Sequence, residues 1–305
     1  YIWEVIFAQP LGVMIKVWIF NLRYFYGKYL LDNGRHDRAL KIFRKMLDEY
    51  PKWVQGYQNV AVVLIQKGEK EKAIMYFEKA LEIDPGNLDI HIFLFDLYSE
   101  TGNITSAHDM IDKLIEIDSN NPDFYFDKAS LYGYGDPGKS IELLEKAIAI
   151  EPYSAGLYVS LGYFYSLMED IEKALLAYDK ALELEPLNSA ALNNYGYDLS
   201  KARRYEEALP YFELCFEVDP DFAYPYDNAG LCYLRLGRHE EAIRNIDYSL
   251  ELDPDNSYAY KNRAKYHIEI GDKIQARGDL LKALELGYKE KYGDEVSDLL
   301  NKLDS

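Results

Sequence analysis

The sequence predicts an all-α protein in which one helix pair repeats down the chain as a solenoid. The first observation is a phrase ending in proline that recurs at a near-constant step: Tyr50-Pro51, Asp84-Pro85, Glu151-Pro152, Glu185-Pro186, Asp219-Pro220 and Asp253-Pro254. Successive prolines stand 34, 67, 34, 34 and 34 residues apart, and the double step hides a degenerate boundary at Asp118-Ser119. A fixed period of this size marks stacked repeats, each unable to bury its apolar face alone. The second observation is that small and aromatic residues fall into columns when the chain is laid in that frame.

Eight units result: 20–53, 54–87, 88–121, 122–154, 155–188, 189–222, 223–256 and 257–290. The eighth position reads Gly27, Ala61, Phe95, Ala129, Gly162, Gly196, Gly230 and Ala264, and the twentieth reads Ala39, Ala73, Ala107, Ser140, Ala174, Ala208, Ala242 and Ala276. Two small columns per unit mean two helices that cross closely, where larger side chains overpack at a cost of about 1–3 kcal/mol. Aromatic columns lie between them: Tyr57, Tyr125, Tyr158, Tyr226 and Tyr260 at the fourth position, Tyr98, Tyr132, Tyr165 and Tyr233 at the eleventh. Turns such as Lys67-Gly68-Glu69 and Leu236-Gly237-Arg238 separate the helices of a pair, glycine being suited to the left-handed residue that ends a helix. The recurring proline then stops the second helix.

In these columns, from residue 20 to residue 290, the chain resembles the tetratricopeptide repeat (TPR) family. The resemblance implies a right-handed superhelix of about eight helix-turn-helix repeats. Residues 291–305 read as a C-terminal capping helix, with Tyr292, Val296, Leu299, Leu300 and Leu303 at helical spacing. Some positions depart from the family pattern. Phe95 stands where a small residue belongs and Ser119 where proline belongs, unit four is one residue short, and Pro210 falls inside a second helix. The repeat is therefore least regular across residues 95–140.

A 305-residue chain ordinarily suggests two domains; repeats that pack on their neighbours suggest one elongated domain instead. The two cysteines, Cys215 and Cys232, occupy core columns and read as buried apolar residues, compatible with a reducing, cytoplasmic location. The histidines show no metal-ligand spacing, and neither metal nor cofactor is expected. Net charge is −18, unevenly spread: residues 1–52 carry nine Lys/Arg against five Asp/Glu, residues 122–305 twenty against thirty-five. An acidic body repels phosphates, and no basic groove with interleaved aromatics is visible, so nucleic acid is not an expected partner.

Residues 133–140 read Gly-Tyr-Gly-Asp-Pro-Gly-Lys-Ser and fit the phosphate-cradling pattern G-x-x-x-x-G-K-[ST]. That chemistry needs the loop between a buried strand and a helix. The repeat frame places it between two helices of unit four, with Ser140 in a small column, so it is read as a decoy.

Residues 1–19 precede the repeats and are expected to form a hydrophobic N-terminal helix with Pro10 as a break. Trp3, Ile6, Phe7, Met14, Ile15, Trp18 and Ile19 are its attachment candidates. A helix apolar on most of its circumference wants burial on several sides. Three readings stand open for residues 1–22: contact with a membrane or membrane protein, a cap on the first repeat, or docking into a partner. A secretory signal fits badly, for want of a basic start and a small-residue cleavage site.

By the resemblance, the first helices of the pairs line a groove that holds a protein or peptide partner. The groove positions fall on Tyr24, Lys28, Gln55, Gln58, Asp89, Asp96, Asp123, Phe126, Tyr163, Asn193, Tyr197, Tyr224, Asp227, Tyr258, Lys261 and Lys265. They run from an acidic middle, through an aromatic and amide stretch, to a basic end. The implied function is a non-catalytic interaction scaffold or adaptor. The alternative is a dedicated inhibitor or immunity protein that blocks one toxin or enzyme.

Overall fold

The computed structural model describes residues 11–288 and 293–304, and among them every regular element is helical. Seventeen α-helices follow in order: α1 (Leu11–Asp32), α2 (His36–Glu49), α3 (Val54–Gln66), α4 (Lys70–Ile83), α5 (Leu88–Glu100), α6 (Ile104–Ile117), α7 (Pro122–Tyr132), α8 (Pro137–Ile150), α9 (Ala155–Leu167), α10 (Ile171–Leu184), α11 (Ser189–Lys201), α12 (Tyr205–Val218), α13 (Ala223–Arg235), α14 (His239–Leu252), α15 (Ser257–Glu269), α16 (Lys273–Glu285) and α17 (Glu295–Asp304). They divide into two compact units, one ending at Leu131 and the other beginning at Tyr132. The division falls in the repeat that is one residue short.

Close helix approach explains the small columns. A Cβ added to Gly27 would sit 2.7 Å from the Phe43 ring, one on Gly162 2.4 Å from Tyr178, and one on Gly196 2.7 Å from Phe212. In these repeats the eighth position of the first helix thus faces the large side chain at the twenty-fourth position of its partner. In the third repeat Ile111 replaces the aromatic and Phe95 replaces the glycine, both buried in one cluster. The twentieth-position alanines are fully buried.

Tyrosine hydroxyls stitch the turns and the pairs. Tyr57, Tyr125, Tyr158 and Tyr226 donate to the carbonyls of Pro51, Ser119, Pro152 and Pro220 at 3.1–3.3 Å, each across the turn that opens its own repeat. Ser119 keeps this bond although it replaces proline. Tyr98, Tyr165 and Tyr233 donate to Glu78, Glu145 and Glu213 of the preceding second helix at 2.8, 3.2 and 3.1 Å. Burial, then the Glu213 bond, pushes the Tyr233 phenol up to about 12. Asn188 and Asn256 cap α11 and α15, while Asp170 and Asp272 cap α10 and α16.

Pro210 sits inside α12, and the helix continues across it. Helix α1 runs unbroken across residues 19 and 20. Its C-terminal turns pack on α2 through Gly27, Leu30 and Leu31. Cys215 and Cys232 are free and buried, and burial raises each thiol to about 11.

Candidate functional site

In the second unit the first helices of successive pairs, α9, α11, α13 and α15, touch one another in sequence. Along them opens a cleft of about 570 Å³. Six expected groove residues meet there: Tyr163, Asn193, Tyr197, Tyr224, Asp227 and Tyr258. Four tyrosine rings and Phe222 form much of its wall, with Tyr178 reaching in from α10. The column frame put no groove role on Phe222 and Tyr178, because they lie outside the first-helix positions that it selects. Ser166 and Leu167 at the end of α9 and Lys201 at the end of α11 also line the cleft and were not among the expected groove residues, although they lie on first helices.

The polar part of the wall is an amide relay. Asn228 Nδ2 donates to Asn193 Oδ1 at 3.1 Å, and Asn193 Nδ2 donates to Asn194 Oδ1 at 3.2 Å. The relay begins at Asn228 and ends at Asn194, leaving an amide acceptor at one end and an amide donor at the other. Lys201 donates to the Ser166 carbonyl at 3.3 Å. Ser166 Oγ in turn donates to the fully buried Asp198 at 2.6 Å. Burial raises the Asp198 carboxyl, against the bond from Ser166 and the charge of Lys201.

Two expected groove residues turn inward. Asp227, 1% exposed, accepts from Asn256 at 3.0 Å, Asn262 at 2.9 Å and Ser249 at 3.4 Å. Burial raises it to about 7 against these bonds and the charge of Lys261. It forms part of the cleft floor while tying the last two repeats together. Lys261, 5% exposed, lies 4.4 Å from the Tyr258 ring centroid and 3.5 Å from Glu295. Burial lowers it to about 8, with Lys265 adding to the effect.

The expected basic end is neutralised within the chain. Glu295, at the start of α17, lies 2.6 Å from Lys265 and accepts from the Tyr288 hydroxyl at 3.0 Å. Burial alone would raise Glu295, but the two lysines and the Tyr288 bond outweigh it and bring it to about 2. Val296 and Leu299 of α17 join the apolar cluster with Ala264, Leu280 and Ala283.

The remaining groove positions lie in the first unit. Tyr24 packs edge-on against Trp53, Lys28 and Gln58 are half-buried, and Gln55, Asp89, Asp96, Asp123 and Phe126 are exposed. Asp96 and Asp123 lie near enough to Asp127 that, after burial, they help raise it to about 6. Of the attachment candidates, Met14, Ile15, Trp18 and Ile19 are exposed, while Trp3, Ile6 and Phe7 lie outside the described residues.

The phosphate-loop pattern follows a helix, α7, and opens α8. Asp136 Oδ1 accepts from the Lys139 amide at 3.1 Å, so a carboxylate holds the helix N-terminus that a phosphate would need. The Lys139 ammonium sits 3.6 Å from the same carboxylate and 4.9 Å from the Tyr132 ring centroid.

Family models described as tetratricopeptide repeat match residues 20–53, 27–87, 64–125, 155–186, 177–209 and 223–256. No curated protein sequence matches. Among solved structures, a tetratricopeptide repeat protein from Parabacteroides merdae is 18% identical, with a TM-score of 0.70 over 83% of this chain and 99% of its own. A chain of the APC/C hetero-tetramer Cut9–Hcn1 is 18% identical, with a TM-score of 0.63 over 88% of this chain and 52% of its own. Yeast Tom70 is 16% identical, with a TM-score of 0.59 over 88% of this chain and 58% of its own. This chain thus spans little more than half of either of the last two.

Proposed function

The chain belongs to the tetratricopeptide repeat family, and from that premise we propose that it is a non-catalytic interaction scaffold. Its second unit holds a short extended segment of a partner protein in the cleft between α9 and α15. The observation that carries this is the amide relay set among tyrosine rings. An extended peptide presents main-chain donors and acceptors, and the free ends of the Asn228–Asn193–Asn194 relay supply one of each. Rigid tyrosine rings add contact area at low entropic cost. The cleft's lysine is engaged by a backbone carbonyl and its aspartate is buried, which leaves Glu169 at the rim as its exposed carboxylate, so aromatic and amide side chains make up most of the recognition surface. That the same fold occurs in the Cut9–Hcn1 hetero-tetramer supports protein partners.

In the same reading, residues 20–290 form the eight repeats, 291–305 cap them, and residues 1–22 are an attachment element. Partner capture followed by lysine crosslinking and mass spectrometry tests the cleft. Partner crosslinks are expected at Lys201, which lines it. Crosslinks confined to Lys173 and Lys180, on the second helix α10, overturn the assignment.

A further inference from the structure

The N-terminal turns of α1 present apolar surface on every side. All residues from Val13 to Ile19 are exposed, Val17 at 54% and Trp18 at 66%. Seven consecutive residues make about two helical turns, so no face of this stretch is buried among the described residues. Contact begins at Phe20, whose ring meets Tyr50 at 5.0 Å and Trp53 at 4.9 Å. Arg23 pairs with Glu49 at 2.7 Å one turn later. Exposed aromatic side chains follow at Phe25, Tyr26 and Tyr29.

A groove in another protein, or a second copy of α1, covers one stripe of a helix. It leaves the opposite face in water, and here the opposite face is also apolar, with Lys16 the one charge between Leu11 and Leu22. A lipid phase wets all sides at once. The charge around the stretch has the sign that an anionic leaflet requires: residues 11–52 carry nine Lys/Arg against four Asp/Glu, in a chain of net charge −18. The Phe20 contacts bring the Tyr50–Trp53 turn, with Lys52, to the foot of the apolar stretch. No helix among the described residues is long and apolar enough to cross a membrane. Leu11–Ile19 is about 14 Å long, roughly half the thickness of a hydrocarbon core.

We propose that the N-terminal turns of α1 enter one leaflet of an anionic phospholipid bilayer, with Lys16, Arg23 and Lys52 at the headgroup level. The inference rests on the reading of residues 1–22 as an attachment element and is independent of the cleft. Insertion of apolar helix surface supplies the affinity, and basic residues add about 1 kcal/mol each near an anionic surface.

The test is flotation of the full chain with vesicles of phosphatidylcholine alone and of phosphatidylcholine mixed with phosphatidylglycerol. Sedimentation without lipid and thermal melting accompany it. The mixed vesicles are expected to bind at least about tenfold more tightly than phosphatidylcholine alone. Ile15→Glu with Trp18→Glu is expected to lose at least about tenfold in binding while melting like wild type, since both side chains are exposed. Lys16→Glu with Lys52→Glu is expected to remove the preference for the anionic mixture. Failure to bind either vesicle, or binding unchanged by Ile15→Glu with Trp18→Glu, overturns the lipid proposal. If lipid binding fails but those two changes abolish self-association, the attachment reading stands with a protein in place of the bilayer. If neither association exists, both readings fall.

Discussion

A methyl group on Gly162 would collide with the Tyr178 ring, and Gly230 would meet Ile246 at 2.5 Å in the same way. The crossing of these helix pairs is thus set by one small and one large residue. The adjoining alanines are as tightly confined: Ala174 and Ala208 are 0% exposed. Ala174→Leu and Ala208→Leu are each expected to lower stability by about 1–3 kcal/mol in denaturant unfolding, through overpacking. Wild-type melting in both would show that the repeat register is wrong. The turn within each pair makes a second demand. Gly34, Gly68, Gly102, Gly237 and Gly271 all have φ between 69° and 83°, and the equivalent residues of the fifth and sixth repeats are Glu169 (φ 61°) and Arg203 (φ 62°). Side chains pay roughly 1–2 kcal/mol there, which exceeds the extra chain entropy of glycine. Arg203→Gly is therefore expected to raise stability by about 0.5–1 kcal/mol, and Gly237→Ala to lower it. A fall in the midpoint for Arg203→Gly would contradict this.

Among the elements, the last repeat and α17 show how polar groups join neighbours that the columns already align. Asp227 is held by residues 22, 29 and 35 positions away in sequence. Glu295 takes up both Lys261 and Lys265. Their pH effects have opposite signs. Glu295 is held at about 2 in the fold against an ordinary 4.5, so its stabilisation is complete above pH 4.5 and fades as pH falls towards 2. Asp227 is raised from an ordinary 3.8 to about 7, so the fold binds the extra proton and stability falls as pH rises from about 4 to 7. The stability gap between wild type and Glu295→Gln is expected to narrow below pH 4.5. The gap between wild type and Asp227→Asn is expected to shift against wild type from pH 4 to pH 7. Chemical unfolding at pH 3, 5 and 8 reads both, and pH-independent gaps would contradict the assignments.

These elements also show what was legible. The glycine and alanine columns, the helix pairs and the tyrosines of the fourth position followed from spacing, because each answers to a partner at a fixed distance in the frame. The inward turn of Asp227 and Lys261 did not. Position along a helix says which way a side chain points, not whether Asn256 or Glu295 comes to meet it. Phe222 and Tyr178 escaped notice because a cleft collects residues from turns and second helices as well as from first-helix columns.

Across the whole molecule, basic residues outnumber acidic ones in the first fifty positions, eight against five, and acidic residues outnumber basic ones over the rest of the chain. The amide and tyrosine wall lies in the second unit, and the exposed apolar turns lie in the first. The attachment element and the recognition cleft proposed above would together equip one chain as an adaptor. The central claim is recognition by the cleft. It is tested most directly by selecting peptides on the full chain and measuring their affinities for wild type, Asn194→Ala, Tyr224→Ala and Asp89→Ala, each checked for unchanged melting. The account predicts that selected peptides lose at least about tenfold on Asn194→Ala and Tyr224→Ala, a loss of about 1.4 kcal/mol, and bind Asp89→Ala like wild type. Peptides that bind all four proteins equally would contradict it.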